Sequence, residues 1–214
     1  MNRFFVQLEY DGTKYHGFQK QPKTTKTIQH HLDKALAKVA NHKISTVCCG
    51  RTDAGVHALN QFIHFDTSSL RKIDSWIKGV NVNLPDDIVV KNFYKVDKNY
   101  HARFDATSRE YLYVIKNANI PPAIGFNNCL WIKQTLNIQK MNKAAQYLLG
   151  EKDFSAFRAS GCQSKSPVRE IVKTKFVSKG EYLYFFIKGN AFMLNMVRII
   201  TVSYTHLTLP TSSR

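Results

Sequence analysis

The sequence predicts an α+β chain in two similar halves, the second incomplete, with antiparallel sheet around a basic cleft. Three observations carry that prediction. Apolar residues recur with period two or period 3.6 in the order β-α-β-β-α-β across residues 1–100, the split βαβ pattern of a ferredoxin-like domain. The order starts again after residue 100 and reaches β-α-β-β-α by residue 200. Lys and Arg number 31 against 15 Asp and Glu, a formal charge of +16. A field of that size repels itself, so a polyanionic partner is expected, nucleic acid first. A basic surface kept for solubility is the plainer account.

In the first half, Phe4 to Tyr10 alternates apolar and polar residues and reads as a strand that Asp11-Gly12 ends. Thr27 to Ala40 reads as a helix: Thr27 can cap it, and Ile28, Leu32, Ala35, Leu36 and Val39 keep helical spacing. Ile44 to Cys49 and Gln61 to Thr67 read as strands around a polar loop. Leu70 to Val80 reads as a helix that Leu84-Pro85-Asp86 closes, and Ile88 to Val96 as the next strand.

In the second half, Thr107 to Lys116 reads as a strand with Tyr111, Tyr113 and Ile115 on one face. A loop spans Asn117 to Asn128, and a helix runs from Ile138 to Leu149. Val168 to Val177 and Tyr182 to Lys188 form a hairpin about Ser178-Lys179-Gly180-Glu181. A helix begins in Phe192 to Ile200. Val202 onward is not expected to continue it, because β-branched and hydroxyl residues dominate there and Pro210 blocks a long helix. The expected organisation is therefore residues 1–100, residues 101–200, and a non-native tail at 201–214. A genuine flexible terminus is the alternative for that tail.

With 214 residues, 43% hydrophobic and 12% aromatic, the chain can bury a sizeable core. Cys48, Cys49, Cys129 and Cys162 include no C-x-x-C pair, so free thiols in a reducing compartment are expected. No charged-then-apolar leader opens the chain and no apolar run approaches a membrane span, so the expected location is the cytoplasm, with no membrane partner.

The stretch richest in chemistry is Gly50-Arg51-Thr52-Asp53-Ala54-Gly55-Val56-His57-Ala58. Two glycines bracket one carboxylate, Asp53, with Arg51 two residues before it. A paired Asp can act as nucleophile or base, whereas most Asp residues in Gly-rich loops bond their own backbone. The loop Thr13 to Lys26 sets Lys14, Lys20, Lys23 and Lys26 among Tyr15, His16, Phe18, Gln19 and Gln21. Such interleaving suits phosphate contacts and base stacking, and equally a solvated surface. Tyr111 and Tyr113 serve either core packing or stacking on a base. Arg198 stands among apolar neighbours, where it calls for a carboxylate partner, Asp53 being one, or snorkels to the surface. His57 and His64 lie near Asp53 and the adjacent Cys48 and Cys49 but lack ligand spacing, so ordinary polar or core histidines are favoured over a metal site.

Taken in order, these segments resemble the TruA-type tRNA pseudouridine synthases. The match rests on the Gly50 to Ala58 loop and on Tyr10-Asp11-Gly12-Thr13-Lys14-Tyr15-His16-Gly17-Phe18-Gln19. It continues through Asn81-Val82-Asn83-Leu84-Pro85, His101-Ala102-Arg103-Phe104 and Arg109-Glu110-Tyr111. Phe154-Ser155-Ala156-Phe157-Arg158, Ser164-Lys165-Ser166-Pro167 and Asn190 through Arg198 carry it to near Ile200.

The resemblance implies two ferredoxin-like halves and a homodimer acting on the anticodon stem-loop of tRNA. It implies conversion of uridine to pseudouridine at positions 38 to 40, without cofactor or metal. By position, Asp53 matches the catalytic aspartate and Arg51 an arginine that helps the target base leave the stem. Tyr111 matches a tyrosine that stacks on the uracil, and Arg198 a basic residue that pairs with the catalytic carboxylate. Lys14, Lys20, Lys23, Lys26, Arg103 and Arg158 are the expected RNA contacts. The family continues past the Arg198 helix, so the shortened chain is expected to fold poorly or act weakly. An RNA-binding module without catalysis and a metal-dependent hydrolase built on His57 and His64 remain the competing accounts.

Overall fold

A computed structural model describes residues 1–206 of the chain. They divide into two compact units, one spanning Met1–Ala106 and one beginning at Thr107.

The first unit runs β1 (Asn2–Tyr10), α1 (Ile28–Ala40), β2 (Val47–Cys48), β3 (Ala58–Thr67), α2 (Ile73–Val82) and β4 (Ile88–Val96). The strands form one antiparallel sheet in the order β2-β3-β1-β4, the ferredoxin-like arrangement. Alternation along β1 turns Phe4, Val6, Leu8 and Tyr10 inward, while Ile28, Leu32, Ala35 and Leu36 form the buried stripe of α1. Thr27 caps that helix, its hydroxyl accepting from His30 N at 3.4 Å. On α2, Trp76 is fully buried against Phe4, Phe65 and Phe93, with ring centroids 5.6 to 6.1 Å apart. Burial of each such side chain contributes about 1.5–3 kcal/mol, and ring pairing adds to it.

The second unit runs β5 (Arg109–Asn117), β6 (Leu130–Ile132), α3 (Ile138–Gln146), β7 (Gly150–Asp153), β8 (Val168–Lys179), β9 (Tyr182–Gly189) and α4 (Met196–His206). Its sheet has the order β6-β5-β9-β8-β7. The central β5-β9-β8 trio repeats the β1-β3-β2 neighbourhood of the first unit. The place beside β5 is taken by the short β6, which pairs parallel to Ile115–Asn117. Phe176 and Phe185 stack at 4.2 Å in a core closed by Met141, Met196, Ile200 and Tyr204.

Several expected boundaries move. The strand expected from Ile44 contracts to Val47–Cys48, and β3 begins three residues early, at Ala58. β6 and β7 fall in stretches to which the sequence assigns no element. The largest change is at α4, which runs on to His206 past the expected stop. Burial explains it: Thr201, Tyr204 and Thr205 enter the core. The hydroxyls that lower helix propensity bond back within the helix, Thr201 to Val197 O, Ser203 to Ile199 O and Thr205 to Val202 O. Packing thus overrides weak propensity. The rest of the expected tail, residues 207–214, lies outside the described residues. No helix among the described residues is long and apolar enough to cross a membrane.

Candidate active site

The Gly50–Ala58 loop leaves β2 and enters β3, and its shape is set by bonds on either side of Asp53. From β3, Gln61 Nε2 donates to Gly50 O at 2.7 Å. The Tyr10 hydroxyl at the end of β1 lies 2.8 Å from Thr52 Oγ1. Phe18 N donates to Thr52 O at 3.0 Å and Gly55 N to Tyr15 O at 3.2 Å. Val56 N then closes a turn on Asp53 O at 3.2 Å. His57 Nδ1 lies 3.0 Å from Asp11 Oδ1 and 3.2 Å from Gly12 N. One nitrogen cannot serve both, so a protonated Nδ1 donates to Asp11 and a bare one accepts from Gly12.

The partner in most of these bonds is the Asp11–Phe18 segment, and two glycines let it come so close. A Cβ on Gly12 would stand 2.1 Å from Val56 O. At Gly17, where φ is +88°, a Cβ would stand 2.8 Å from Thr52 O and 3.3 Å from Asp53 C. The segment is itself fixed. Asp11 N donates to Asp87 O at 2.9 Å, and the hydroxyl of the buried Tyr15 donates a hydrogen bond to the Asp87 carboxylate. Burial and that carboxylate push the Tyr15 phenol pKa well up. Ile28 N and Gln29 N, at the start of α1, donate back to Gly17 O and Phe18 O. The start of the loop read as a nucleic-acid contact or solvated surface is therefore also the brace of the Asp53 loop. Gly12, Gly17, Tyr10 and Gln61 brace the loop and were not singled out in the sequence, where no local pattern marks contacts between these segments.

The expected cations are unlike one another. Lys20 Nζ lies 2.5 Å from Asp33 Oδ2. Asp33 is 4% exposed and its other oxygen accepts from Thr46 N and Thr46 Oγ1 at 3.2 and 2.6 Å. Lys20 thus compensates a buried carboxylate. Lys14 extends into solvent 3.6 Å from Asp87, and Lys23 and Lys26 are exposed. Arg158 donates from Nη2 to Cys162 O and Ser164 O, both at 2.8 Å, closing its own loop. Arg51 and Arg103 are exposed.

Tyr111 and Arg198 belong to the second unit. Tyr111 is half-buried on β5, its ring edge-on to Phe192 at 4.9 Å. Arg198 is on the exposed side of α4, not enclosed by apolar neighbours. It lines an open cavity of about 320 Å³ with Ala159, Asn195, Ile199, Val202 and Ser203. An exposed guanidinium carries little desolvation cost, so the burial argument for a carboxylate partner does not apply to it. On β5, burial raises the Tyr113 phenol pKa while the Arg198 charge opposes it.

The histidines have separate tasks. His57 serves the Asp53 loop. His64, 4% exposed on β3, stacks on Phe5 at 5.9 Å and accepts the Ala102 N–H at Nδ1, 3.1 Å away. Burial, then the Arg3 guanidinium and His101, push its pKa down to about 4, with Asp66 opposing. Burial likewise pushes the Cys48 thiol up to about 11. An unfolded His titrates near 6.5, so between about pH 6.5 and 4 the unfolded chain binds a proton that the folded chain refuses. Stability therefore falls as pH drops through that window. Denaturant melts between pH 7 and 5 should show His64→Phe less stable at pH 7 but less acid-sensitive than the parent. The differential is roughly 1–2 kcal/mol after allowance for solvent screening. Parallel pH profiles would refute it.

Comparison with known proteins gives a consistent picture. The profile of a family described as tRNA pseudouridine synthase matches residues 7–105 and 144–210. A Francisella philomiragia protein named tRNA pseudouridine synthase A is 44% identical over 92% of this chain and 76% of its own length. One of the same name from Aliivibrio salmonicida is 47% identical over 94% of this chain and 76% of its own length.

Proposed function

Because the chain belongs to the tRNA pseudouridine synthase family and is an isomerase that converts uridine to pseudouridine in tRNA, we propose that it acts at positions 38 to 40 of the anticodon stem-loop through Asp53. The observation that carries the role of Asp53 is its placement. It stands at a tight turn whose flanks are tied down at Gly50, Thr52 and Gly55. A reacting group must be held to a fraction of an ångström, and this loop is built for that.

The chemistry sets what the site must do. The N1–C1′ bond breaks, a C5–C1′ bond forms, C5 gives up its hydrogen and N1 gains one. Nothing is oxidised and no water is consumed. The Asp53 carboxylate supplies the nucleophile or base, at C1′, at C6 or at the C2′ proton. A target in the stem must leave the stack at a cost of about a few kcal/mol, and Arg51, exposed beside Asp53, assists that exit. Tyr111 stacks on the uracil and Arg198 supports the carboxylate. Lys14, Lys23, Lys26 and Arg103 hold the RNA backbone. A homodimer in the cytoplasm completes the proposal.

Mass-spectrometric mapping of pseudouridine in tRNA incubated with the protein tests it. New pseudouridine confined to other positions would overturn the site assignment. The lysines give a second check. Lys20→Ala should lose about 1–2 kcal/mol of stability, because a buried carboxylate loses its cation, and leave the salt dependence of tRNA binding unchanged. Lys23→Ala should leave stability alone and reduce the slope of log K on log salt by about 0.7–0.9. Chemical melts and binding titrations at several salt concentrations distinguish the two.

A further inference from the structure

We propose that the His101–Asp105 loop is a preformed nucleobase-stacking platform for the tRNA, with the Phe104 ring as its surface and His64 as the residue that holds it ready. The proposal rests on the tRNA-modifying function above.

The loop follows β4, and Phe104 at its tip is 76% exposed. A single exposed apolar ring is ordinary on a protein surface. What sets this one apart is that its backbone is immobilised. His101 N donates to Asp105 Oδ2 at 2.7 Å and Asp105 N returns to His101 O at 3.0 Å. Arg103 N and Phe104 N both point to His101 Nδ1 at 3.2 Å. Beneath them, Ala102 is buried and its N–H is taken by His64 on the sheet.

The entry to the loop is pinned as well. Arg3, held by Asp66 through two bonds at 2.8 and 2.7 Å, donates to the carbonyls of Lys98 and Tyr100 at 2.6 and 2.9 Å.

The ring already belongs to a stack. Phe104 lies on His101 with centroids 4.2 Å apart and planes 23° from parallel, and His101 meets His64 at 4.6 Å. The Arg103 guanidinium carbon stands 5.9 Å from the Phe104 centroid. A base laid on Phe104 would extend the two-ring stack of Phe104 on His101, which His64 meets edge-on, and place its phosphate near a cation. Fixing the loop before binding removes the ordering cost that a flexible loop would meet on contact. A chain with charge +16 attracts a polyanion, and an exposed ring beside a cation suits one that also carries flat rings.

The test is tRNA affinity and steady-state kinetics of the full chain with Phe104 replaced. Phe104→Ala should weaken tRNA binding about 5- to 150-fold, the range for losing one stacked base, with an unchanged salt slope and an unchanged melt. Phe104→Trp should stay within about threefold of the parent. His64→Phe, which keeps a ring on the sheet but removes the acceptor, should weaken binding less than Phe104→Ala.

Affinity of Phe104→Ala within twofold of the parent would overturn the proposal. Full recovery by Phe104→Leu would also overturn it, since that would mean plain apolar contact. So would a loss of oligomeric state with tRNA affinity per protomer intact, which would assign the ring to a protein contact. A parent protein that forms no pseudouridine in tRNA would instead refute the function on which the proposal rests.

Discussion

Asp53→Asn should abolish pseudouridine formation, by at least about 10⁴-fold in turnover, while tRNA affinity stays within about threefold. The substitution keeps the size and shape of the side chain. Bonds through backbone and neighbouring groups hold the loop and survive the change: Val56 N on Asp53 O, Gln61 on Gly50 O, Phe18 N on Thr52 O. The loop should therefore keep its course. What is lost is a charge that can attack or remove a proton, and an amide does neither at neutral pH. Removing a negative charge from a +16 protein cannot weaken attraction for RNA. Tritium released from 5-tritiated uridine in tRNA counts turnover, because C5 loses its hydrogen, and filter binding reports affinity. Turnover by Asp53→Asn within tenfold of the parent would remove Asp53 from the chemistry. Loss of binding together with turnover would make it a structural residue.

The legible parts of this chain were those where one local pattern decides the outcome. β1 alternates regularly and β4 alternates over its first half before a register shift, and the sequence ranges for them nearly coincide with Asn2–Tyr10 and Ile88–Val96. The start of α1 was legible because Thr27 supplies both a cap and a boundary. β6 and β7, three and four residues long, are too short to carry a period. The end of α4 was misjudged because Thr201, Tyr204 and Thr205 are helical through burial and back-bonding, neither of which propensity reports. The site divides in the same way. Two glycines and a carboxylate within six residues mark the Asp53 loop in any reading. Its brace is invisible in sequence because it is made of backbone contacts between segments some forty residues apart. Lys20 shows what charge and neighbours leave out: its ammonium also pairs with Asp33, a contact that only the fold of α1 against the loop creates.

That brace gives the second large expectation: Gly17→Ala should lower kcat about 100-fold with KM within about threefold. Two costs arise at this position. A positive φ of +88° is unfavourable for alanine, by about 1 kcal/mol. The added Cβ would stand 2.8 Å from Thr52 O and 3.3 Å from Asp53 C, so the backbone that carries the carboxylate must move back. Displacement by about 1 Å is enough to cost two orders of magnitude in a step that needs aligned atoms. Gly55 provides the control. It sits in the same loop with φ +75°, but a Cβ there meets nothing within 4 Å. Gly55→Ala should therefore suffer the backbone cost alone and retain kcat within about threefold. A purely structural account predicts that both variants lose stability and keep normal turnover well below their melting points. The positioning account predicts that they part company in kcat. Equal kcat for the two, whether both intact or both crippled, would mean that Gly17 does not aim Asp53.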